Sequence, residues 1–301
     1  MKTLEQAHQE FNYEQLIQEQ LVGQPNAVNA YIECCQRYVG LQKTALIWEG
    51  KNGESEQWSF EQLDVASAQL ANYFKSIGIQ VGDCIAGLLP RTPELLITIL
   101  ATWRIGAIYQ PLFTAFESKA IEHRVLTANT KLIVTNAEQR PKLNHVEVKH
   151  ILTVNAGTNL ASNEADFWQE VKQQSDQCEA VLRSFDDDFL MMFTSGTTGL
   201  AKSVPVPLKA VLAFKGYMQH AVDLREDDSF WNLADPGWAY GLYYGITGPL
   251  SLGHSIIMDE RAFSVDHAVE VIKKYRVSNL TGSPTAFRMF FGFKEKFDPS
   301  I

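Results

Sequence analysis

Residues 193 to 202 read FTSGTTGLAK, with hydroxyls at Thr194, Ser195, Thr197 and Thr198, glycines at Gly196 and Gly199, and one cation at Lys202. Glycine lets a loop turn successive amides inward, and hydroxyl donors with one ammonium complete a cradle for phosphate oxygens. The spacing is not that of a Walker loop, which sets lysine directly after its last glycine and then opens a helix. Here Lys202 stands three positions after Gly199, and the strand-like SVPVP follows. Taken as residues alone, the run fits a phosphate cradle and an ordinary Ser/Thr/Gly turn between two strands equally well.

Two further stretches carry chemistry-bearing side chains. ADPGWAYGLYYG gathers Trp238, Tyr240, Tyr243 and Tyr244; the three tyrosines have the i, i+3, i+4 spacing of one helix face packed into a core. In NLTGSPTAFRMF a strand runs into a small-residue turn at Gly282 and Ser283, and Pro284 suits a first helical turn. The seven histidines form no His-x-x-x-His pair, and the four cysteines, Cys34, Cys35, Cys84 and Cys178, form no Cys-x-x-Cys pair. Gly-x-Ser-x-Gly is absent and Ser195 has no sequence-evident base, so a serine hydrolase is excluded.

The elements that must hold these groups follow from periodicity. TALIWEG and EQWSF flank an Asn52-Gly53 step and predict an early hairpin. FEQLDVASAQLANYFKSIG puts Leu63, Ala66, Leu70, Phe74 and Ile77 on one helical face and ends at Gly78, a left-handed cap. Strand CIAGLLP then precedes helix TPELLITILATWRIG, strand AIYQPL precedes helix ESKAIEHRVLTAN, and KLIVTN and HILTV follow as strands. This alternation predicts βαβ units and a mostly parallel sheet covered on both faces. Residues 156 to 187 interrupt it with a short helix in EADFWQEVKQQ and the start of the acidic cluster Asp186, Asp187 and Asp188. Strands FLMMF, SVPVP, SFWNLA, HSIIMDE and NLTGSP and helices KAVLAFKGYMQHAV and VDHAVEVIKKYRV complete the chain. The expected class is α/β, with two mostly parallel sheets flanked by helices in a layered arrangement. The expected division is a polar N-terminal helix over 1–20, a first α/β subdomain over 21–185 and the start of a second over 186–301. The alternation is expected to continue past Ile301, so the sequence reads as interrupted.

Composition narrows the partners. At 301 residues and 46% hydrophobic content the chain can bury a substantial core. With 26 Lys plus Arg against 35 Asp plus Glu, and no dense basic run, nucleic acid is not expected as a partner, whereas a local anion site is compatible. The N-terminus lacks the apolar core of a signal peptide, and no stretch approaches the roughly 20 apolar residues of a membrane span. The cysteines read as reduced thiols, and a cytoplasmic location is expected.

The run MMFTSGTTGLAK resembles the phosphate-loop signature of the adenylate-forming (AMP-binding) superfamily, which includes acyl-CoA synthetases, luciferases and peptide-synthetase adenylation domains. The chain is most similar to acetyl-CoA and short- to medium-chain acyl-CoA synthetases, through LLPRTPELLITILATWRIGAIYQPLFTAF, NLADPGWAYGLYYG and NLTGSPTAFRMF. Ala201 and Ser203 depart from it, standing where the family carries proline and glycine. The resemblance implies the N-terminal part of the large domain of a ligase. In its reaction a carboxylic acid attacks the α-phosphate of ATP with Mg2+, pyrophosphate leaves, and the acyl group passes from the adenylate to coenzyme A. It implies that Thr194, Ser195, Gly196, Thr197, Thr198, Gly199 and Lys202 hold ATP phosphates. It further implies that Trp238, Ala239, Tyr240, Gly282, Ser283 and Pro284 border the acyl or pantetheine path, and that Phe113, Thr114, Ala115 and Arg140 meet coenzyme A. The family's catalytic lysine and its adenine, ribose and Mg2+ ligands are expected beyond Ile301, so the 301-residue chain alone is expected to be inactive. The alternative is an incomplete fragment or non-catalytic binding module that keeps a phosphate loop and part of an acyl pocket.

Overall fold

The computed structural model describes residues 3–10, 12–158, 160–194 and 199–293. The polar start forms two helices, α1 (Leu4–Glu10) and α2 (Tyr13–Gln20), because Asn12 caps the second by accepting the Gln15 N–H at 3.0 Å. After α3 (Ala30–Cys34) the predicted hairpin appears as antiparallel β1 (Thr44–Glu49) and β2 (Ser55–Ser59), turning through Gly53 at φ +94°. Ser59 opens α4 (Phe60–Ser76) with a capping box closed by Gln62, and Gly78 leaves it at φ +83°.

Alternation then runs as read: β3 (Cys84–Leu88), α5 (Pro93–Arg104), β4 (Ile108–Pro111), α6 (Ser118–Thr127), β5 (Thr130–Asn136) and β6 (His150–Val154). The segment EADFWQEVKQQ is divided: Glu164–Asp166 is a strand, β7, and Asp166 caps the short α7 (Phe167–Val171). Next come β8 (Asp188–Thr194), β9 (Lys202–Pro207), α8 (Ala210–His220) and β10 (Phe230–Asn232). The tyrosine-rich run is α9 (Ala239–Leu242), a π-turn over Tyr243–Thr247, and α10 (Gly248–Ser251). The last elements are β11 (Ile256–Asp259), α11 (Val265–Tyr275), β12 (Asn279–Thr281) and α12 (Pro284–Gly292).

Seven strands form one sheet in the order β7-β6-β5-β3-β4-β8-β9, all parallel except the edge strand β9. The acidic cluster at 186–188 therefore leads into a strand of this sheet and does not separate two sheets. Pairing with β4 requires β8 to join it, which the chain order alone does not disclose. In the second sheet region β1 pairs in parallel with β11, Leu46 opposite Ile256, and β10 pairs in parallel with β12.

Burial follows the strand period. Ile85, Leu132, Val134 and Leu152 face a core shared with α4, α5 and α8, while Ala86, Ile133 and Ile151 face α6. Leu46, Ile256 and Met258 look into the shared core from the second sheet region, whereas Ile47, Ile257 and Trp231 pack outward against α11 and Phe290 of α12. Helices thus pack on parallel-rich sheets, the α/β class expected from the alternation, but the described strands form three hydrogen-bonded sheets where two were expected: one of seven strands, one of three (β11-β1-β2) and one of two (β10-β12).

α8 also buries a charge. Lys215 is 1% exposed, and its ammonium donates to the carbonyl of Gln20, which also accepts from Arg37 Nη1 at 2.9 Å, so two cations close the end of α2. Burial, aided by Arg37, pushes Lys215 down to about 8. Below that pH the lysine is charged in folded and unfolded chains alike, and the folded state bears the full cost of burying it. Between about 8 and the ordinary lysine value the unfolded chain binds more protons, so stability gains with pH. Urea midpoints for the wild type and Lys215→Met, taken from pH 7 to 10.5, should show the wild type gaining on the variant by on the order of 3 kcal/mol. A pH-independent difference would contradict a buried charge there.

Candidate functional site

Strands β3, β4 and β8 run in one direction, so Leu88, Pro111 and Thr194 all end at the same edge of the large sheet. Parallel sheets bind ligands at this carboxyl edge, because connections leave there and open a crevice. The β8–β9 hairpin projects from it with Thr194 directly opposite Lys202, both exposed. Gly199 has φ +95°, a conformation that disfavours a side chain. Ser195, Gly196, Thr197 and Thr198 lie outside the described residues. A strand, β9, follows the loop where a Walker motif would begin a helix. The base of the hairpin is tied to α6, since His123 Nε2 donates to the Ala201 carbonyl at 2.8 Å. The Arg124 guanidinium lies 4.1 Å from the Phe116 ring centre and 5.6 Å from that of Phe193, next to Thr194.

Across the crevice stands the turn after β10. Asp235 Oδ1 accepts the Gly237 N–H at 2.8 Å, and the Asp235 carbonyl accepts the Trp238 N–H at 3.0 Å. Burial pushes the Asp235 carboxyl up, opposed by Arg91, whose Nε is 3.9 Å from Oδ2, and by the Gly237 N–H. A Cβ on Gly237 would sit 2.7 Å from Phe113 Cα, and one on Gly241 would sit 2.1 Å from the Asp235 carbonyl oxygen. Only glycine permits this approach of the two backbones. Trp238 consequently lies 5.5 Å from Phe113 and 5.6 Å from Phe116, ring centre to ring centre, and remains 47% exposed. The sequence reading selected Phe113 and Trp238 but not Arg91 or Asp235, the ion pair between the ends of β3 and β10; its only trace was their separate presence in LLPRTPELL and NLADPGW.

Comparison with known proteins decides the family. The model of the AMP-binding enzyme family matches residues 34–300. The chain belongs to the AMP-binding enzyme family. It is 33% identical to an acetyl-coenzyme A synthetase of Deinococcus radiodurans, over 89% of this chain and 45% of that one. It is 28% identical to an acetyl-coenzyme A synthetase of Bacillus subtilis, over 97% of this chain and 52% of that one. A crystal structure of a Brucella canis acyl-CoA synthetase superposes with TM-score 0.94 at 47% identity, covering 97% of this chain and 54% of the other. The chain thus spans about half the length of these relatives.

In this AMP-binding enzyme chain the remaining sequence-selected residues fall into two groups. Ala239 and Tyr240 continue from Trp238 into α9, and Gly282 follows β12, where a Cβ would come within 3.2 Å of the Leu233 side chain. Ser283 caps α12 by accepting the Ala286 N–H at 3.2 Å, with Pro284 in the first turn, so the strand-to-helix cap is formed. Tyr243 stacks on Phe214 at 4.3 Å and Tyr244 on Tyr217 at 4.0 Å, which commits both rings to packing.

Thr114 and Ala115 extend from Phe113 at the carboxyl edge, and the Thr114 carbonyl accepts from the Lys142 ammonium. Arg140 is engaged elsewhere: its Nε donates to Glu164 at 2.9 Å and Nη1 to Asn144 at 3.1 Å. A guanidinium neutralised by a carboxylate with 6% side-chain exposure is a poor fit to a phosphate ligand unless that pair opens. Among the described residues no helix is long and apolar enough to cross a membrane, and no three His, Cys, Asp or Glu side chains gather as a metal site.

Proposed function

We propose that this chain contributes the phosphate hairpin and part of the acyl-binding wall to an AMP-forming acyl-CoA synthetase. In this reading a short- or medium-chain carboxylate attacks the α-phosphorus of ATP, the bond to pyrophosphate breaks, and the acyl group of the resulting adenylate moves to the sulfur of coenzyme A. Thr194 and Lys202, with Ser195 to Gly199 between them, orient and neutralise the leaving pyrophosphate. The observation that carries the reading is the juxtaposition of two features at one carboxyl edge: the hairpin with Thr194 opposite Lys202, and the aromatic wall of Phe113, Phe116 and Trp238. A hydroxyl facing an ammonium is the donor set an anionic leaving group needs, and a half-exposed tryptophan offers apolar surface to an acyl chain. Mg2+, when bound with ATP, supplies charge neutralisation of the phosphates. Phe113, Thr114 and Ala115 border the entry for coenzyme A. The four cysteines are free and buried, which supports residence in a reducing compartment such as the cytoplasm.

The test is carboxylate-dependent exchange of labelled pyrophosphate into ATP by the full-length protein, across straight-chain acids from acetate to octanoate. Exchange with at least one acid is expected. Failure with every acid would favour a non-catalytic binding module, for which phosphate or pyrophosphate binding at the hairpin would remain measurable.

A further inference from the structure

Cys178 lies on a stretch after α7 that is pinned on both sides of it. Asn72 of α4 donates through Nδ2 to the Ser175 carbonyl at 2.8 Å and to the Gln177 carbonyl at 2.9 Å, and Arg104 Nε donates to the Cys178 carbonyl at 2.6 Å. The backbone so held presents Sγ to the last turn of α4, where the Lys75 ammonium donates to it at 3.1 Å; the Glu179 carbonyl lies 3.8 Å from the same sulfur. Lys75 is exposed, and Cys178 stands in the wall of a cleft of about 810 Å³ that also reaches Gln36, Asp64 and Leu182. The other three cysteines differ. Cys34 and Cys35 are fully buried and Cys84 nearly so, and burial pushes all three thiols up. Their sulfurs face oxygens at 3.6 Å: the carbonyls of Thr247 and Phe60 and the amide oxygen of Gln110. Thiols sealed in this way are inert, whereas a cysteine beside a cation and at the edge of a cleft is the one that oxidises.

We propose that Cys178 and Lys75 form a peroxide-responsive modification site, whose product is a covalent S–N link between α4 and the segment after α7. The Cys178 sulfur attacks hydrogen peroxide, the O–O bond breaks, and a sulfenic acid and water form, so that sulfur is oxidised and peroxide reduced. The Lys75 nitrogen then attacks that sulfur; the S–O bond breaks, a second water leaves, and the surplus proton of the ammonium passes to solvent. The product is a sulfenamide. Two equivalents of a small thiol reverse it, returning cysteine and amine while they pair as a disulfide. Nitrogen and sulfur already stand at contact distance, within the 3–3.5 Å or so of a near-attack geometry, so the second step needs no backbone rearrangement. The link joins residues 103 positions apart in sequence. Because small thiols cleave it, it is compatible with a reducing compartment, where cysteine oxidation serves as a transient signal.

The experiment treats the reduced full-length protein with hydrogen peroxide, blocks remaining thiols by alkylation, digests without reductant and reads the peptides by mass spectrometry. The Lys75 peptide should appear joined to the Cys178 peptide, lighter than the two together by a pair of hydrogens, and the link should vanish on adding dithiothreitol. It should form at least about tenfold faster than any oxidation of Cys34, Cys35 or Cys84. In Lys75→Arg, whose guanidinium keeps the charge and does not condense, oxidation should stop at the Cys178 sulfenic acid, trapped by dimedone in greater yield than in the wild type. Cys178 left unmodified, oxidation spread evenly over the four cysteines, or Cys178 carried to sulfinic acid without joining Lys75 would each overturn the proposal. Equal dimedone trapping in wild type and variant would overturn it too. The wild-type measurement requires no substitution, and Lys75 is exposed, so its replacement disturbs no packing.

Discussion

Lys202→Met is expected to slow pyrophosphate exchange roughly 10- to 100-fold in the full-length protein, because a hydrogen bond to a charged group is worth about 1.5–3 kcal/mol. Lys202 is exposed at the open end of the β8–β9 ladder, opposite Thr194. Its removal disturbs no packing, and stability should stay within about 0.5 kcal/mol of wild type. That separation between rate and stability is the diagnostic feature: a residue that merely closes a turn would change neither. Thr197→Ala, in the undescribed part of the same loop, carries the same expectation for rate. Unchanged exchange in both variants would reduce the hairpin to an ordinary turn.

Arg104→Met should lower stability by about 1.5–3 kcal/mol, the worth of hydrogen bonds to a charged group, since Arg104 is buried while Asp64 is only partly so. The Arg104 guanidinium donates to Asp64 Oδ1 at 2.9 Å, to the Asp64 carbonyl at 2.9 Å and to the Cys178 carbonyl at 2.6 Å, and lies 4.3 Å from the Tyr31 ring centre. The Tyr31 hydroxyl donates to the same Asp64 carboxylate. One side chain at the end of α5 therefore binds α3, α4 and the segment after α7. Urea unfolding measures the loss, and adding Asp64→Leu to the variant should recover part of it, since no carboxylate is then left unpaired. A single variant within 1 kcal/mol of wild type would mean that the pair is solvated.

Local structure was legible because local rules set it. The capping box at Ser59 and Gln62, the turn at Gly53 and the apolar face from Leu63 to Phe74 are each decided within a few residues. Pairings set by distant partners were not. Nothing near Asp188 announces that β8 will lie against β4, and β7 is a strand of only three residues, Glu164–Asp166, that exists because β6 offers it an edge. The same holds at the site. Trp238 and Phe113 could be selected one motif at a time, but the meeting of Arg91 with Asp235 depends on how β3 and β10 end in space. Arg140 shows the converse: a cation conspicuous in sequence is engaged by Glu164, which lies 24 positions further along the chain.

The parallel pairing of β1 with β11 also sets a timetable. Leu46 waits for Ile256, and at about 5–20 residues per second the ribosome supplies that partner roughly 10–40 s after the hairpin has emerged. During that interval the free side of β1, with its adjoining Leu46 and Ile47, is an open sheet edge of the kind that recruits foreign strands. The β1–β11 pairing therefore waits until residue 259 has left the exit tunnel, and until then that edge of the nascent chain is open to aggregation.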